Sequence, residues 1–350
     1  MKKLVSLLLT AAMLSALLVG CGSSGNSGNS GNAGTTGGNA GTNTPAAGGS
    51  GAYSFTDTIT IICPVPAGGD TDRNTRALAQ YMEKYAGVTV VVENIDGGAT
   101  VMGMQECLDR SERNPDGTTL VVNGTDIFVP YMQGTSGITI DSFKSVAIPI
   151  FDNSTVLAVN KNSGWNTLED LLAASKAKPN SIEYGGKIGA ANQICGIAMN
   201  TEWDAGLKFV DVGNNAAKRA ALLGEQTDVI NISYALAPEF ESGDFIAVCL
   251  LGPEKNPLLP DVPLASDYGL KDVDFSKFFW VGTGPTVPDE IVDSLAALIK
   301  DVCEDPDFIA EIEQYQLNVR YMPTTEAQAF ANGMYTDTLL PYQEAFLAQQ

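Results

Sequence analysis

Apolar and polar positions run along this chain in two rhythms. Thr58-Ile59-Thr60-Ile61-Ile62-Cys63 is a short β-branched run that predicts a strand. Leu78, Tyr81, Met82 and Tyr85 then recur at helical spacing, predicting a helix over Thr71 to Tyr85. Val88 to Glu93 reads as a second strand and Thr100 to Ser111 as a second helix. The turn Asn114-Pro115-Asp116-Gly117 leads into a third strand, Thr118 to Val122. Strand and helix alternating in this way indicate a parallel sheet covered by helices.

A second series follows. Val146 to Val159 holds two apolar runs broken at Asp152-Asn153-Ser154, and Asn166-Thr167-Leu168-Glu169 resembles a capped start to a helix reaching about Lys176. Strands are predicted at Ile182 to Tyr184, Phe209 to Val212, Val229 to Ile232 and Ile246 to Leu251, with helices over Ala191 to Trp203, Ala216 to Leu223 and Ala235 to Ser242. The last segment is helical in pattern over Pro288 to Cys303, Asp307 to Gln316 and Thr325 to Ala348, with Pro323 and Pro341 as interruptions. Two such series predict two α/β lobes with a cleft between them. Ligands in such lobes sit at the carboxyl ends of strands, where helix N-termini converge.

The amino terminus belongs to neither series. Lys2 and Lys3 precede an apolar run from Leu4 to Val19, which closes on Leu18-Val19-Gly20-Cys21. A spanning helix needs roughly 20 apolar residues, and small residues followed by cysteine fit a lipoprotein signal peptide over residues 1–20 better. Cys21 is then the lipidated N-terminus, anchored outside the cytoplasmic membrane of a bacterium. Residues 21–52 are almost entirely Gly, Ser, Asn, Thr and Ala beyond that cysteine, a composition that makes a flexible tether and no core.

Charge and composition then remove several function classes. The formal net charge is -21, which opposes nucleic-acid binding, since that requires a basic face. It does not oppose binding of a small anion, because local backbone N–H groups can hold one whatever the net charge. The chain has no histidine, so Ser-His-Asp and Cys-His catalysis and His-ligated zinc are excluded. Cys63, Cys107, Cys195, Cys249 and Cys303 are scattered in apolar or helical contexts, reading as buried small hydrophobes, with neither a disulfide framework nor a metal site. No cofactor is expected.

One stretch carries candidate chemistry. Pro64 through Asp72 follows a strand and opens a helix, where unsatisfied N–H groups point outward. Gly68 and Gly69 permit unusual dihedrals and close approach of a ligand. The spacing is neither a dinucleotide fingerprint nor a P-loop. A cradle for a carboxylate or phosphate and a plain strand-to-helix turn capped by Asp70 or Thr71 both fit.

Pro64-Val65-Pro66-Ala67-Gly68-Gly69-Asp70-Thr71-Asp72 with Arg76, Val90-Val91-Val92-Glu93-Asn94, and Asn114 to Leu120 resemble the substrate-binding proteins of tripartite tricarboxylate transporters, the Bug-type receptors. Leu222-Leu223-Gly224 with Asp228, Leu259-Pro260-Asp261-Val262-Pro263, and Asn160 to Leu168 with Trp165 extend the resemblance to the second series. It implies a two-lobe periplasmic-binding-protein-like (type II) α/β fold that closes on a small organic anion in the cleft. Lobe 1 would comprise residues 53–152 and 281–350, lobe 2 residues 153–280, and the lobes would hinge about Phe151 to Val159 and Phe278 to Gly284. Carried over by motif, Val65, Pro66, Ala67, Gly68, Gly69, Asp70 and Thr71 form the first-lobe anion loop, braced by Asp72, with Thr125 and Asp126 as a second wall. Gly189, Ala190, Ala191, Asn192 and Gln193 form the second-lobe helix entrance, and Ser233 is a further polar contact.

Two departures bear on the ligand. Family members often carry Gly, Ser or Pro in place of Asp70, and hydroxyls and a histidine in place of Ala190, Ala191 and Gln193. An acid at an anion loop repels the anion, so Asp70 is expected either to cap the helix, the favoured reading, or to pair with an amino group on the ligand. The functional expectation is a lipid-anchored receptor that captures a di- or tricarboxylate, or an amino-bearing carboxylate, for the permease subunits of a tripartite transporter. No catalytic residue or metal ligand is assigned. The alternatives are a ligand-presenting sensor module and a hydrolytic or lyase-type enzyme, the latter lacking a nucleophile, metal cluster or histidine.

Overall fold

Residues 54–270 and 274–349 are described in the computed structural model of the chain; the expected leader, lipidated Cys21 and tether fall outside them. The first series folds as its periodicity predicts, into β1 (Ile59–Cys63), α1 (Asp70–Ala86), β2 (Val90–Asn94), α2 (Val101–Arg113) and β3 (Thr119–Asn123), followed by a short α3 (Phe128–Met132). The second runs through β4 (Lys144–Asp152), β5 (Thr155–Asn160), α4 (Leu168–Ala177), β6 (Glu183–Gly186), α5 (Ala191–Trp203), β7 (Lys208–Asp211), α6 (Asn215–Leu223), β8 (Val229–Ser233) and β9 (Phe245–Leu250). The closing segment comprises β10 (Lys277–Thr283), α7 (Asp289–Cys303), α8 (Pro306–Glu313), β11 (Asn318–Pro323), α9 (Thr324–Gly333) and α10 (Gln343–Leu347).

The strands make two mixed sheets, ordered β11-β4-β10-β3-β1-β2 and β7-β6-β8-β5-β9. In the first, β1 lies parallel between β2 and β3, while β10 runs antiparallel between β3 and β4. Lys277 opposes Asp152 and Trp280 opposes Asn123, so the amino end of β10 shares an edge with the carboxyl ends of β3 and β4. In the second, Thr155 opposes Ser233 and Val156 opposes Leu250, which places the amino end of β5 beside the carboxyl ends of β8 and β9. The chain steps from β4 to β5 through Asn153-Ser154 alone. The carboxyl edges of the two sheets therefore adjoin at this crossing.

The closing segment departs from expectation in three places. Lys277 to Thr283 is a full strand inside the first sheet, so the return crossing precedes Lys277 and the boundary expected at residue 280 falls within β10. Asn318 to Pro323 is an edge strand, as its terminal proline permits. The helix expected over Thr325 to Ala348 breaks into α9, a π turn at Met334–Leu339, a 3-10 turn at Leu340–Tyr342 and α10, where Pro341 offers no N–H. After this break α10 packs against α5: Phe346 is fully buried, and the Tyr342 hydroxyl lies 3.2 Å from Glu202 Oε1. The helix expected over Ala235 to Ser242 is also absent. Only a 3-10 turn forms at Tyr234–Leu236, because Pro238 drives Ala237 out of the helical region to φ -126°, ψ 88°.

All five described cysteines are buried free thiols. Burial pushes Cys107, Cys195 and Cys303 up to about 12, so they behave as inert apolar groups. Outside the sheets, α1 is tied to α8 through Asp305, the N-cap of α8, whose Oδ2 accepts from Lys84 Nζ at 2.6 Å and from the Tyr85 hydroxyl at 2.9 Å. The Lys84 hydrogen bond outweighs burial and holds the Asp305 carboxyl at about 2. A carboxyl lowered in the folded state stabilises above its unfolded value of about 4 and loses that contribution as pH falls toward 2. Thermal unfolding of Asp305→Asn between pH 2 and 5 is expected to show a shallower acid limb than the unsubstituted protein.

Candidate functional site

The exit of β1 is built around Asp72. Gly68 sits at φ +89°, a conformation that a side chain disfavours, and its N–H donates to Asp72 Oδ2 at 2.9 Å. The same carboxylate accepts from Arg76 Nε at 3.1 Å and, through Oδ1, from Asn94 Nδ2 at 2.8 Å. Asn94 Nδ2 also reaches Val65 O at 3.1 Å, while its Oδ1 accepts from Arg76 Nη2 at 2.7 Å. Loop, helix and the end of β2 thus form one closed polar network, which leaves Pro66 to Gly69 exposed above it. Burial alone would raise Asp72, but the bonds from Arg76, the Gly68 N–H and Asn94 hold its carboxyl below the usual range. The helix α2 approaches the loop closely enough that a Cβ on Gly103 would lie 2.8 Å from Ile95 O and 2.9 Å from Pro64 Cα.

Asp70 is not the helix cap, and it pairs with a lysine of this chain. The N-cap of α1 is Gly69, with no side-chain capping bond, because the helix begins one residue earlier than expected and takes Asp70 into its first turn. The Asp70 carboxylate is ion-paired with Lys277 at the amino end of β10. Burial would raise Asp70, yet the attraction and hydrogen bond of Lys277 bring it below the usual carboxylate range. Lys277 is raised in turn, since Asp70, with smaller contributions from Asp126 and Asp152, outweighs burial.

At the exit of β3, a Cβ on Gly124 would stand 2.5 Å from Phe278 O, so this turn presses against β10. Thr125 is half-buried and Asp126 exposed at the same edge.

The second sheet repeats the device of the first. Gly189, at φ +74°, donates its N–H to Gln193 Oε1 at 2.8 Å, four residues ahead, as Gly68 does to Asp72. Lys187 N–H bonds Asn192 Oδ1 at 3.2 Å. Gln193 is buried, and its Nε2 lies 3.3 Å from Gln349 Oε1, so its amide braces the entrance from beneath. Ala190, Ala191 and Asn192 remain half-exposed at the start of α5. Ser233 is buried at the end of β8, 3.0 Å from Ser154 Oγ, which donates to Asp152 Oδ1 at 2.6 Å. It joins the crossing between the sheets.

A third exit, from β7 to α6, was not anticipated as part of the site. Asn214 caps α6 by accepting from Ala217 N–H at 3.0 Å, and the first turn carries Lys218. Lys218 is 3 % exposed, and its Nζ donates to Asn231 O at 2.6 Å, with Asn231 Oδ1 at 3.4 Å. Burial pulls this amine down to about 8. The available signal was a pair of cations, Lys218 and Arg219, set in the otherwise apolar stretch Ala216 to Leu222. Lys277 was missed because β10 was missed.

Three strand-to-helix exits therefore present first-turn N–H groups where the two carboxyl edges adjoin, an arrangement suited to an anion. Two surface hollows, one at Ile197 and Phe209 and one at Leu270 and Phe330, are lined by none of these residues. Among the described residues no cluster of His, Cys, Asp and Glu is arranged to hold a metal ion.

Known proteins share this architecture. BugT of Bordetella pertussis is 25% identical over 241 residues, covering 65% of this chain and 72% of BugT. A UPF0065 protein of Cupriavidus necator is 27% identical over 278 residues, 78% of this chain and 83% of its own. Among solved structures, a TctC solute binding protein from Polaromonas superposes with a TM-score of 0.69 at 22% identity, over 84% of this chain and 99% of that one. MatC from Rhodopseudomonas palustris, solved with bound malate, gives a TM-score of 0.63 at 19% identity, over 84% and 97% of the two chains. The fold is thus the two-sheet α/β fold of periplasmic binding proteins of the TctC and Bug type. Residues 74–337, spanning every strand of the two sheets except β1 and both second-sheet helix entrances, match the model of the tripartite tricarboxylate transporter family receptor, TctC, and the chain belongs to that family.

Proposed function

We propose that this receptor, tethered outside the cell membrane by a lipid on Cys21, captures a small organic carboxylate and delivers it to the permease subunits of a tripartite transporter. The observation that carries this reading is the repeated exit: in each sheet a left-handed glycine is locked by a side chain four residues ahead, which frees the first helical turn to meet an anion. Val65 to Thr71 and Thr125 form the first-lobe face of the site, and Gly189 to Asn192 the second. Asn153-Ser154 and the segment preceding Lys277 are the hinges about which the lobes close. Two proteins of the same fold were solved with adipate and with bound malate, which supports a carboxylate here.

Native mass spectrometry of the purified protein, followed by denaturation and identification of the released small molecules, tests the reading. A single bound carboxylic acid is the expected result. Conversion of that acid by the protein, or retention of a ligand with no acidic group, would refute it.

A further inference from the structure

Lys218 is a buried charge without a counter-charge. An ammonium has three N–H donors; those of Lys218 meet the carbonyl and, weakly, the side chain of Asn231, and no carboxylate among the described residues pairs with it. Its neighbour Arg219 shows the contrast, reaching Glu239 with two bonds of 2.9 and 2.8 Å. A buried cation left unpaired is unfavourable to the fold, which calls for a reason to keep it. The ionisable groups that act on Lys218 are Cys195 of α5, Lys277 of β10, Asp126 and Asp70. Its acceptor Asn231 lies near the carboxyl end of β8, two residues from Ser233, whose hydroxyl is 3.0 Å from Ser154 at the crossing between the sheets, so Lys218 stands at the edge of the second sheet that adjoins the first. In the first sheet Lys277 is already neutralised by Asp70.

We propose that Lys218 supplies the second lobe's charge to one end of a bound dianion, and so selects ligands with an acidic group at each end over monocarboxylates of equal length. This rests on the carboxylate reading above. One acid meets the exit of β1 at α1; the other meets Lys218 at the first turn of α6. A ligand ending in an apolar tail leaves the ammonium buried and unpaired.

Calorimetric titration of succinate, glutarate and adipate against butyrate, valerate and hexanoate tests this. In the unsubstituted protein a dicarboxylate is expected to bind on the order of 100-fold tighter than its monocarboxylate partner. Lys218→Met should reduce that ratio below about 10-fold without lowering the melting temperature of the ligand-free protein, since an uncompensated buried charge is removed. Lys218→Arg should retain most of the preference. A folded Lys218→Met protein with the original ratio overturns the inference and leaves the carboxylate reading standing. A ratio below about 10-fold in the unsubstituted protein overturns it without any variant. No binding of any of the six acids overturns both.

Discussion

Asp72→Ala is expected to cost about 2–4 kcal/mol of stability and to weaken ligand binding by about 10- to 100-fold. The carboxylate is 4 % exposed and is the shared acceptor for the Gly68 N–H, Arg76 and the Asn94 amide. Alanine takes from the half-buried Asn94 amide one of its two acceptors and releases the Gly68 N–H of the exposed loop from its anchor. Arg76, whose side chain is 50% exposed, recovers water, and this keeps the stability loss below that of a fully buried pair. Binding suffers because the glycine turn is no longer held in its left-handed form before the ligand arrives, so ordering it is charged to the binding step. Asp72→Asn retains an acceptor for Gly68 and should fall between the two. The folded-state carboxyl lies below its ordinary range, so its contribution is present above about pH 4 and is lost as pH falls through the folded value. Urea unfolding at neutral and acid pH, with calorimetry of the bound acid, measures both effects. Unchanged affinity in a destabilised Asp72→Ala protein would remove this loop from the binding face.

Asp70→Asn is expected to move stability and affinity in opposite directions. Its loss breaks the ion pair with Lys277, whose side chains are 20% and 32% exposed, and costs about 1–2 kcal/mol after solvent screening. The same change frees the Lys277 ammonium and removes a like charge beside the anion loop, so succinate should bind about 10-fold tighter. Aspartate should gain by a similar factor, leaving its ratio to succinate within about 2-fold of the original. The reason is that Asp70 is already occupied by an internal cation and has no ligand amine to serve. A selective loss of aspartate binding would instead restore the amine-pairing reading.

The elements that were legible in the sequence are those whose signal is local. The alternation from Thr58 onward and the helical spacing of Leu78, Tyr81, Met82 and Tyr85 place β1 and α1 within one or two residues. The glycine exit after β1 was legible for the same reason, since a bare backbone between a strand and a helix leaves few alternatives. Lys277 to Thr283 carried no such signal. It has an apolar middle of only four residues, Phe278 to Val281, between Lys277 and Gly282-Thr283, and only its insertion between β3 and β4 makes it a strand. The tail from Thr325 misled because its period is helical throughout, while Pro341 and the packing of α10, with the buried Phe346, against α5 decide where it turns.

The sequence by itself therefore determined two α/β series, an anionic chain without histidine, and glycine exits fit for an anion. Each follows from neighbours a few residues apart or from composition. Only the tertiary structure decided which charges meet. Asp70 and Lys277 are separated by 207 positions and join because β10 brings its amino end to the carboxyl edge of the first sheet. Among the described residues no acid pairs with Lys218, because of what packs around α6, and nothing beside it in the chain reveals this. Ion pairing depends on distance through space and on the water excluded between partners, and both are set by packing.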